Sequence, residues 1–360
     1  MKLKNIAIAF LGALLFATCS KKDDEKEYTA EESKAVVRST MDNFYNCLQN
    51  LNDGGFANFF HDLLFKETVR DHQGETQSWG NFLGEKFDKQ NFAEGLTEGD
   101  RFNYHRMKGT YTWNKNTELW EKTANNENVT FIFPATKGAT NNGKLVIDQY
   151  EDTETTYGND KVYLPTAAHL YATIDNTKVF EVTVKNVTFE KKTNFTMPLS
   201  AHISIYTNPF TTTIQWNRQN PENFVFDFAF SSPQGCTTGL HADIKLTTSD
   251  YGNISSLEKA IDKIAFTATQ GELRIVGNID VKSLEEKGNE RKLRVEEINT
   301  YAKAVLMKGN SKIADVKYEE ENDKGVIYFI FSDGSREKAE KYVSDFEDRV
   351  TKIFKRFDRK

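Results

Sequence analysis

The sequence predicts an α+β fold: a large, curved, mostly antiparallel sheet with an N-terminal helical hairpin and C-terminal helices. Three observations carry this. Apolar residues recur three and four apart from Val37 to Leu64, the spacing becomes two from about Tyr104, and helical spacing returns beyond about Glu290. The expected organisation behind a leader is one α+β domain over 29–360, with 29–100 helical or irregular, 104–281 β-rich and 290–357 helix–hairpin–helix. The 27 Phe, 14 Tyr and 4 Trp supply ample apolar area for a core, and 6 Pro and 21 Gly are too few for a disordered or collagen-like chain.

The first helix starts at a capping box, Thr29-Ala30-Glu31-Glu32, in which Glu32 reaches back to the Thr29 amide. Val37, Met41, Phe44, Leu48 and Leu51 then form one stripe, and Asp53-Gly54-Gly55 ends it. Phe56, Phe59, Phe60, Leu63 and Leu64 begin a second helix. From Thr68 to Asp100, Gly74, Gly80, Gly84, Gly95 and Gly99 among scattered aromatics predict irregular chain.

Short hairpin strands follow around Tyr111–Trp113, Leu119–Trp120, Val129–Phe133 and Leu145–Ile147. Within Val179–Phe189 the apolar parity switches, which predicts a bulge near Lys185 or Asn186. The clearest alternation is Phe224, Phe226, Phe228 and Phe230, flanked by Leu199–Ile205, Phe210–Trp216 and Leu240–Leu246. Polar residues intervene, so one face is apolar and the other wet. A brief helix capped by Ser255 with Glu258 precedes strands at Ile264–Ala268 and Leu273–Val281. Val295, Ile298, Tyr301, Ala302, Val305 and Leu306 predict a helix over 290–308 that stops at Gly309. A hairpin joins Val316–Tyr318 to Val326–Phe331. Asp333-Gly334-Ser335 turns it into a last helix with Ala339, Tyr342, Phe346, Val350, Ile353 and Phe357 on one side. These helices are the covers available for the apolar face of the sheet.

Ahead of the domain, Lys2 and Lys4 precede an apolar run of about 12 residues from Ile6 to Ala17, the anatomy of a secretory signal peptide over 1–18. A membrane span needs about 20 apolar residues. Cys19 follows directly, with Phe16 and Thr18 in the positions before it. This start resembles a bacterial lipoprotein precursor, and Ser20-Lys21-Lys22-Asp23-Asp24-Glu25 is similar to the tether of surface-exposed lipoproteins of the Bacteroidota. The resemblance covers residues 1–27 and implies that Cys19 is acylated and, after cleavage, N-terminal. It implies that Lys21, Lys22, Asp23, Asp24 and Glu25 direct surface export, with residues 19–28 a flexible tether. The expected address is the outer membrane, lipid-anchored and facing outward; the alternative is its periplasmic face. Two or three acyl chains at ~0.8 kcal/mol per buried methylene hold stably where one does not.

A formal charge of −6, with no basic run longer than pairs such as Lys355-Arg356, excludes a nucleic-acid binder by electrostatics. The implied partner is outer-membrane lipid through Cys19. Cys47 falls beside the first helical stripe and is expected to pack as a free, buried thiol; Cys236 lies in a loop, and a bridge between them is the lesser expectation. No cofactor or metal is expected: His61, His72, His105, His169, His202 and His241 show no ligand spacing. His169, His202 and His241 sit on polar strand faces, where convergence is possible but solvation commoner. Nucleophile-elbow, phosphate-loop and dinucleotide motifs are absent. Acidic runs at Glu151-Asp152 and Glu319-Glu320-Glu321 read as solvated loops. Tyr111, Trp113 and Trp120, with Tyr150, lie near hairpin ends. They are candidate ligand-facing aromatics, against the alternative that they plug the ends of the sheet.

The expected function is non-enzymatic binding or scaffolding at the cell envelope, without a cofactor. A lipid or lipoprotein carrier with an apolar half-barrel cavity is the alternative, and a glycan- or peptide-directed hydrolase the third.

Overall fold

The computed structural model describes residues 26–70, 74–94, 97–98, 101–157, 160–191, 196–250 and 257–357. The expectations for the signal peptide, Cys19, Lys21, Lys22, Asp23, Asp24 and Glu25, and for the Ser255 cap, lie outside them. The described residues fall into two compact units, one of 26–48 with 213–352 and one of 49–212 with 353–357.

In chain order the elements begin with helices α1 (Ala30–Asp53) and α2 (Gly55–Leu64), strands β1 (Glu67–Arg70) and β2 (Thr76–Ser78), and helix α3 (Trp79–Lys89). Strands β3 (Thr97–Glu98) and β4 (Arg101–Phe102) lead to the short helix α4 (Tyr104–Met107). The main run is β5 (Gly109–Asn114), β6 (Leu119–Thr123), β7 (Val129–Phe133), β8 (Gly143–Tyr157), β9 (Asp160–Ile174), β10 (Thr177–Lys191), β11 (Thr196–Thr207), β12 (Phe210–Asn220), β13 (Asn223–Ser231) and β14 (Thr237–Leu246). After α5 (Leu257–Ala260) come β15 (Ile261–Gln270), β16 (Leu273–Asp280), α6 (Val281–Glu290), α7 (Val295–Tyr301), β17 (Ala302–Lys308), β18 (Ser311–Glu321), β19 (Lys324–Ile330) and β20 (Arg336–Lys338). A 3-10 turn at Ala339–Tyr342 and helix α8 (Phe346–Phe354) complete the order.

The predicted α+β class holds. A 16-stranded sheet runs from β20 to β7 with each strand beside its neighbour in sequence, and then takes β5 and β6. The β5–β7 pairing, with Gly109 opposite Val129, is parallel. The pairings on either side of it, β5 with β6 and β7 with β8, are antiparallel. Such a meander follows from tight turns: Asp175-Asn176 and Asn322-Asp323 both adopt positive φ, the geometry that matches a two-residue hairpin to strand twist. The parity switch in β10 is a bulge, with register shifting between Lys185 and Thr188 and Asn186 at φ 55°.

In the first unit, the Thr29 amide donates to Glu32 Oε2 at 2.9 Å and the Glu32 amide to Thr29 Oγ1 at 3.2 Å, as the capping box predicts. The stripe of α1 buries Val37, Met41, Phe44 and Tyr45 among Leu273, Ile275, Leu306, Val316 and Phe329 of the sheet. The Arg349 guanidinium lies 3.6 Å from the centroid of the Tyr45 ring, and Phe346 stacks on Phe44. Cys47 is bridged to Cys236, with 5.7 Å between their Cα atoms. This corrects the expectation of free thiols: the helix stripe and the β13–β14 turn, 189 residues apart in sequence, meet in this core.

The second unit corrects the irregular 68–100 stretch. Ser78 caps α3, its hydroxyl accepting from the Asn81 amide at 3.3 Å, and Trp79 and Leu83 are buried. Gly80 does not break this helix. A Cβ there would sit 2.7 Å from Leu64 Cδ2 and 2.8 Å from the Leu63 carbonyl oxygen, so glycine is what lets α2 approach. Gly54, between α1 and α2, is equally confined, 2.3 Å from the Asn208 carbonyl oxygen at its would-be Cβ.

Two C-terminal expectations are also corrected. The helix predicted over 290–308 stops at Tyr301, and Ala302–Lys308 is strand β17. Ala304 and Leu306 are buried opposite Gly277 and Ile275 of β16, and this pairing overrides a spacing that suits a helix equally well. The last helix is divided, because Lys338 ends β20 and the chain turns before Phe346. Among the described residues no helix is long and apolar enough to cross a membrane.

Candidate functional site

The second unit contains a cleft of about 350 Å³ lined by Arg101, Phe102, Asn103, Tyr104, His105, Tyr150, Glu151, Asp152 and Thr166. Its floor is built by β8 and β9. Two register shifts shape it: one between Ile147 and Gln149, which makes Asp148 an extra residue, and one between Glu151 and Asp152, where Thr166 is extra on β9. Bulges of this kind re-aim side chains. Here they put Tyr150, Asp152 and Thr166 beside the segment running from β4 into α4.

That segment is tied down residue by residue. Asn103 caps α4, its side-chain oxygen accepting from the Arg106 amide at 3.2 Å. The Tyr104 hydroxyl donates to the Ile147 carbonyl oxygen at 3.1 Å, and Phe102 meets the Tyr150 ring edge-on at 5.0 Å. Burial pushes the phenols of Tyr104 and Tyr150 above their ordinary range, so both remain protonated. Arg101 Nε donates to both Asp152 oxygens, at 3.0 and 3.2 Å, and its Nη2 lies 2.9 Å from Oδ1. The Asp152 side chain is 3% exposed and that of Arg101 is 53% exposed, so a buried carboxylate holds a guanidinium that still reaches solvent.

The proposed ligand-facing aromatics are not in this cleft. Tyr111, Trp113 and Trp120 are 1%, 3% and 6% exposed and belong to the core of the second unit. Trp113 meets Trp79 and Trp120 edge-on at 5.7 and 5.6 Å. The Trp120 indole donates to the Leu83 carbonyl oxygen at 2.9 Å, and the Tyr111 hydroxyl donates to that of Met107 at 2.9 Å. A buried ring with its polar atom satisfied is a packing residue, so these three correct the expectation of rim aromatics. Tyr150, the fourth aromatic singled out, does line the cleft.

The acidic runs are strand residues rather than loops. Glu151 and Asp152 lie in β8, while Glu319 takes Arg336 at 2.8 Å and Glu320 and Glu321 pair with Lys292 and Lys338. His169 and His241 each bind two carboxylates of their own. His169 Nδ1 is 2.6 Å from Asp148 and Nε2 is 3.2 Å from Glu181; His241 Nδ1 is 2.7 Å from Asp227 and Nε2 is 3.3 Å from Asp243. Burial opposes the charge on His169, but Glu181 and Asp148 together outweigh it and raise its pKa. Asp227 is the main cause of the rise at His241, against burial and with help from Asp243. His202 stands opposite Lys185, two positions along from the Thr183 that faces His169. Among the described residues no group of three or more His, Cys, Asp or Glu is placed to hold a metal ion. No protein-family model, no curated protein and no solved structure matches the chain.

Sequence reasoning missed Arg101, Phe102 and Asn103 as site residues. They fall in the stretch read as irregular or beside it, and their partners are about 50 residues on. The bulge at Asp148 leaves a faint signature, an apolar parity switch from Leu145 and Ile147 to Tyr150, whereas the one at Thr166 leaves none.

Proposed function

We propose that the chain is a lipid-anchored cell-envelope protein of binding type, non-enzymatic, which takes its ligand in the Arg101–Asp152 cleft. The observation that carries this is the commitment of the cleft's buried groups to structure. The Asp152 carboxylate is held by Arg101 and the Tyr104 hydroxyl by a backbone carbonyl, which makes a preformed concave surface rather than a poised acid–base pair. The signal peptide, Cys19 and the Lys21–Glu25 tether support the outer-membrane address and outward orientation.

The carrier reading has its own support. Leu170, Val182 and Ile205 share one face in register, and Val182 and Ile205 are half-exposed there; in the first unit Phe228 and Phe230 are half-exposed as well. One set of preparations tests both readings. Cys19→Ala should abolish fatty-acid incorporation and release the protein from membranes, and alanine at Lys21–Glu25 should remove it from the reach of protease added to whole cells. Label retained in Cys19→Ala refutes the anchor. Stoichiometric lipid beyond the anchor, extracted from the native protein, would replace the binding reading with the carrier.

A further inference from the structure

We infer that the Arg101–Asp152 cleft recognises a neutral saccharide, with a pyranose ring against Tyr150. This rests on the binding reading above and names the class of ligand. The lining weighs against anionic, cationic and purely apolar ligands on physical grounds. An anionic ligand needs surplus positive charge, yet Arg101 is already neutralised by Asp152, and Glu151 at the rim leaves the lining acidic. A cationic ligand would meet only the exposed Glu151, where an ion pair is worth little, because the buried carboxylate is occupied by Arg101 at 2.9 Å. A purely apolar ligand would strip water from Arg101, Asn103, His105 and Thr166 without replacing their hydrogen bonds. An extended peptide takes its affinity from an open strand edge. In the described pairings β8 leaves β7 after Ile147 and β9 meets β10 only from Ala168, so Tyr150–Asp152 and the stretch around Thr166 are paired on one side only, and an extended peptide is the competing occupant that the titration below separates.

A neutral polyol uses what remains. A sugar ring has apolar C–H faces and a rim of hydroxyls that both donate and accept. Tyr150, held edge-on by Phe102, supplies the flat apolar surface, and the arrangement is rigid because both rings pack into the core of the second unit. The guanidinium of Arg101, held by Asp152 and lying over the Tyr163 ring at 5.4 Å, forms one wall, and Thr166, Asn103 and His105 around the same opening supply polar partners for the hydroxyl rim. Preorganisation of this kind lowers the ordering cost of binding. The volume of about 350 Å³ lies at the small end of the ligand-pocket range of roughly 300–1,000 Å³, which suits a chain end or a short oligosaccharide rather than a long glycan.

The test is calorimetric titration of the full-length acylated protein in detergent with three panels: neutral oligosaccharides, uronic- or sialic-acid oligosaccharides, and peptides. At least one neutral oligosaccharide should bind. Tyr150→Ala should weaken it by about ten-fold or more, and Tyr150→Phe, which keeps the ring, should stay within about three-fold of native; ten-fold corresponds to ~1.4 kcal/mol. Thr166→Arg fills the opening without removing a core contact and should abolish binding while leaving the melting temperature unchanged. Neutral saccharides that fail to bind, or that bind Tyr150→Ala and Thr166→Arg as well as native, overturn the inference. If acidic saccharides or peptides bind instead and are lost in Thr166→Arg, the saccharide class is wrong and the binding reading stands. If no ligand in any panel responds to Thr166→Arg, both are overturned.

Discussion

At the scale of the residue, the two carboxylate-bracketed histidines make stability depend on pH in a defined direction. His169 and His241 both have raised pKa values in the fold, so the charged form is favoured there over the unfolded chain. Their contribution is complete below the ordinary histidine value of about 6.5 and disappears as pH rises through the raised value. The urea midpoint should therefore fall between about pH 6 and pH 9, and the fall should flatten in His169→Gln/His241→Gln. An unchanged slope in that double variant would show that the decline has another source. Sequence alone placed both histidines on polar strand faces, correctly. It could not supply the partners: Glu181 comes from the next strand, and Asp148 reaches His169 because a bulge makes it an extra residue in the ladder. The same limit hid most of the cleft. Tyr150 stood out by residue type, whereas the Arg101–Asp152 pair spans elements whose adjacency no local pattern encodes.

At the scale of the element, the legible parts were those whose period was unambiguous. The capping box and stripe of α1, the alternating phenylalanines of β13 and the bulge of β10 all lie where the pattern put them. The failures have physical causes. Ala302–Lys308 fits either period, and the free edge of β16 decides for strand. The glycines around α3 read as breakers although Gly80 is a packing contact. Gly54 gives a quantitative test of that second use of glycine. Its φ of −68° is open to any residue, so alanine meets no backbone strain but a steric clash, with the Asn208 carbonyl oxygen 2.3 Å and Pro209 Cδ 2.9 Å from the new Cβ. Gly54→Ala should cost about 1–3 kcal/mol by overpacking, read as a lower urea midpoint. A neutral or stabilising result would mean that the 208–209 turn yields freely.

At the scale of the whole molecule, each unit has its own apolar core, and the tryptophans divide between them: Trp79, Trp113 and Trp120 in the second unit, Trp216 in the first. The Cys47–Cys236 bridge belongs to the first unit alone. Closing a loop of 189 residues, it constrains the unfolded chain strongly, and its removal should cost about 2–5 kcal/mol. Fluorine NMR of 5-fluorotryptophan-labelled protein in urea should then show the Trp216 transition moving to lower denaturant on reduction, while the other three signals keep their midpoint. A common shift of all four would mean that the units unfold as one cooperative body.

The order in which the chain is made adds a consequence of its own. Hairpin-by-hairpin pairing lets most of the sheet zip up as the polypeptide emerges, each strand finding a partner just ahead of it. Helix α1 is the exception. Its stripe is finished first, yet the strands and loop that receive Val37, Met41, Phe44 and Cys47 are made last, after the whole of 49–212. Through that interval the leading segment carries an uncovered greasy stripe and a reactive thiol, the kind of intermediate on which holdase chaperones and thiol oxidases act.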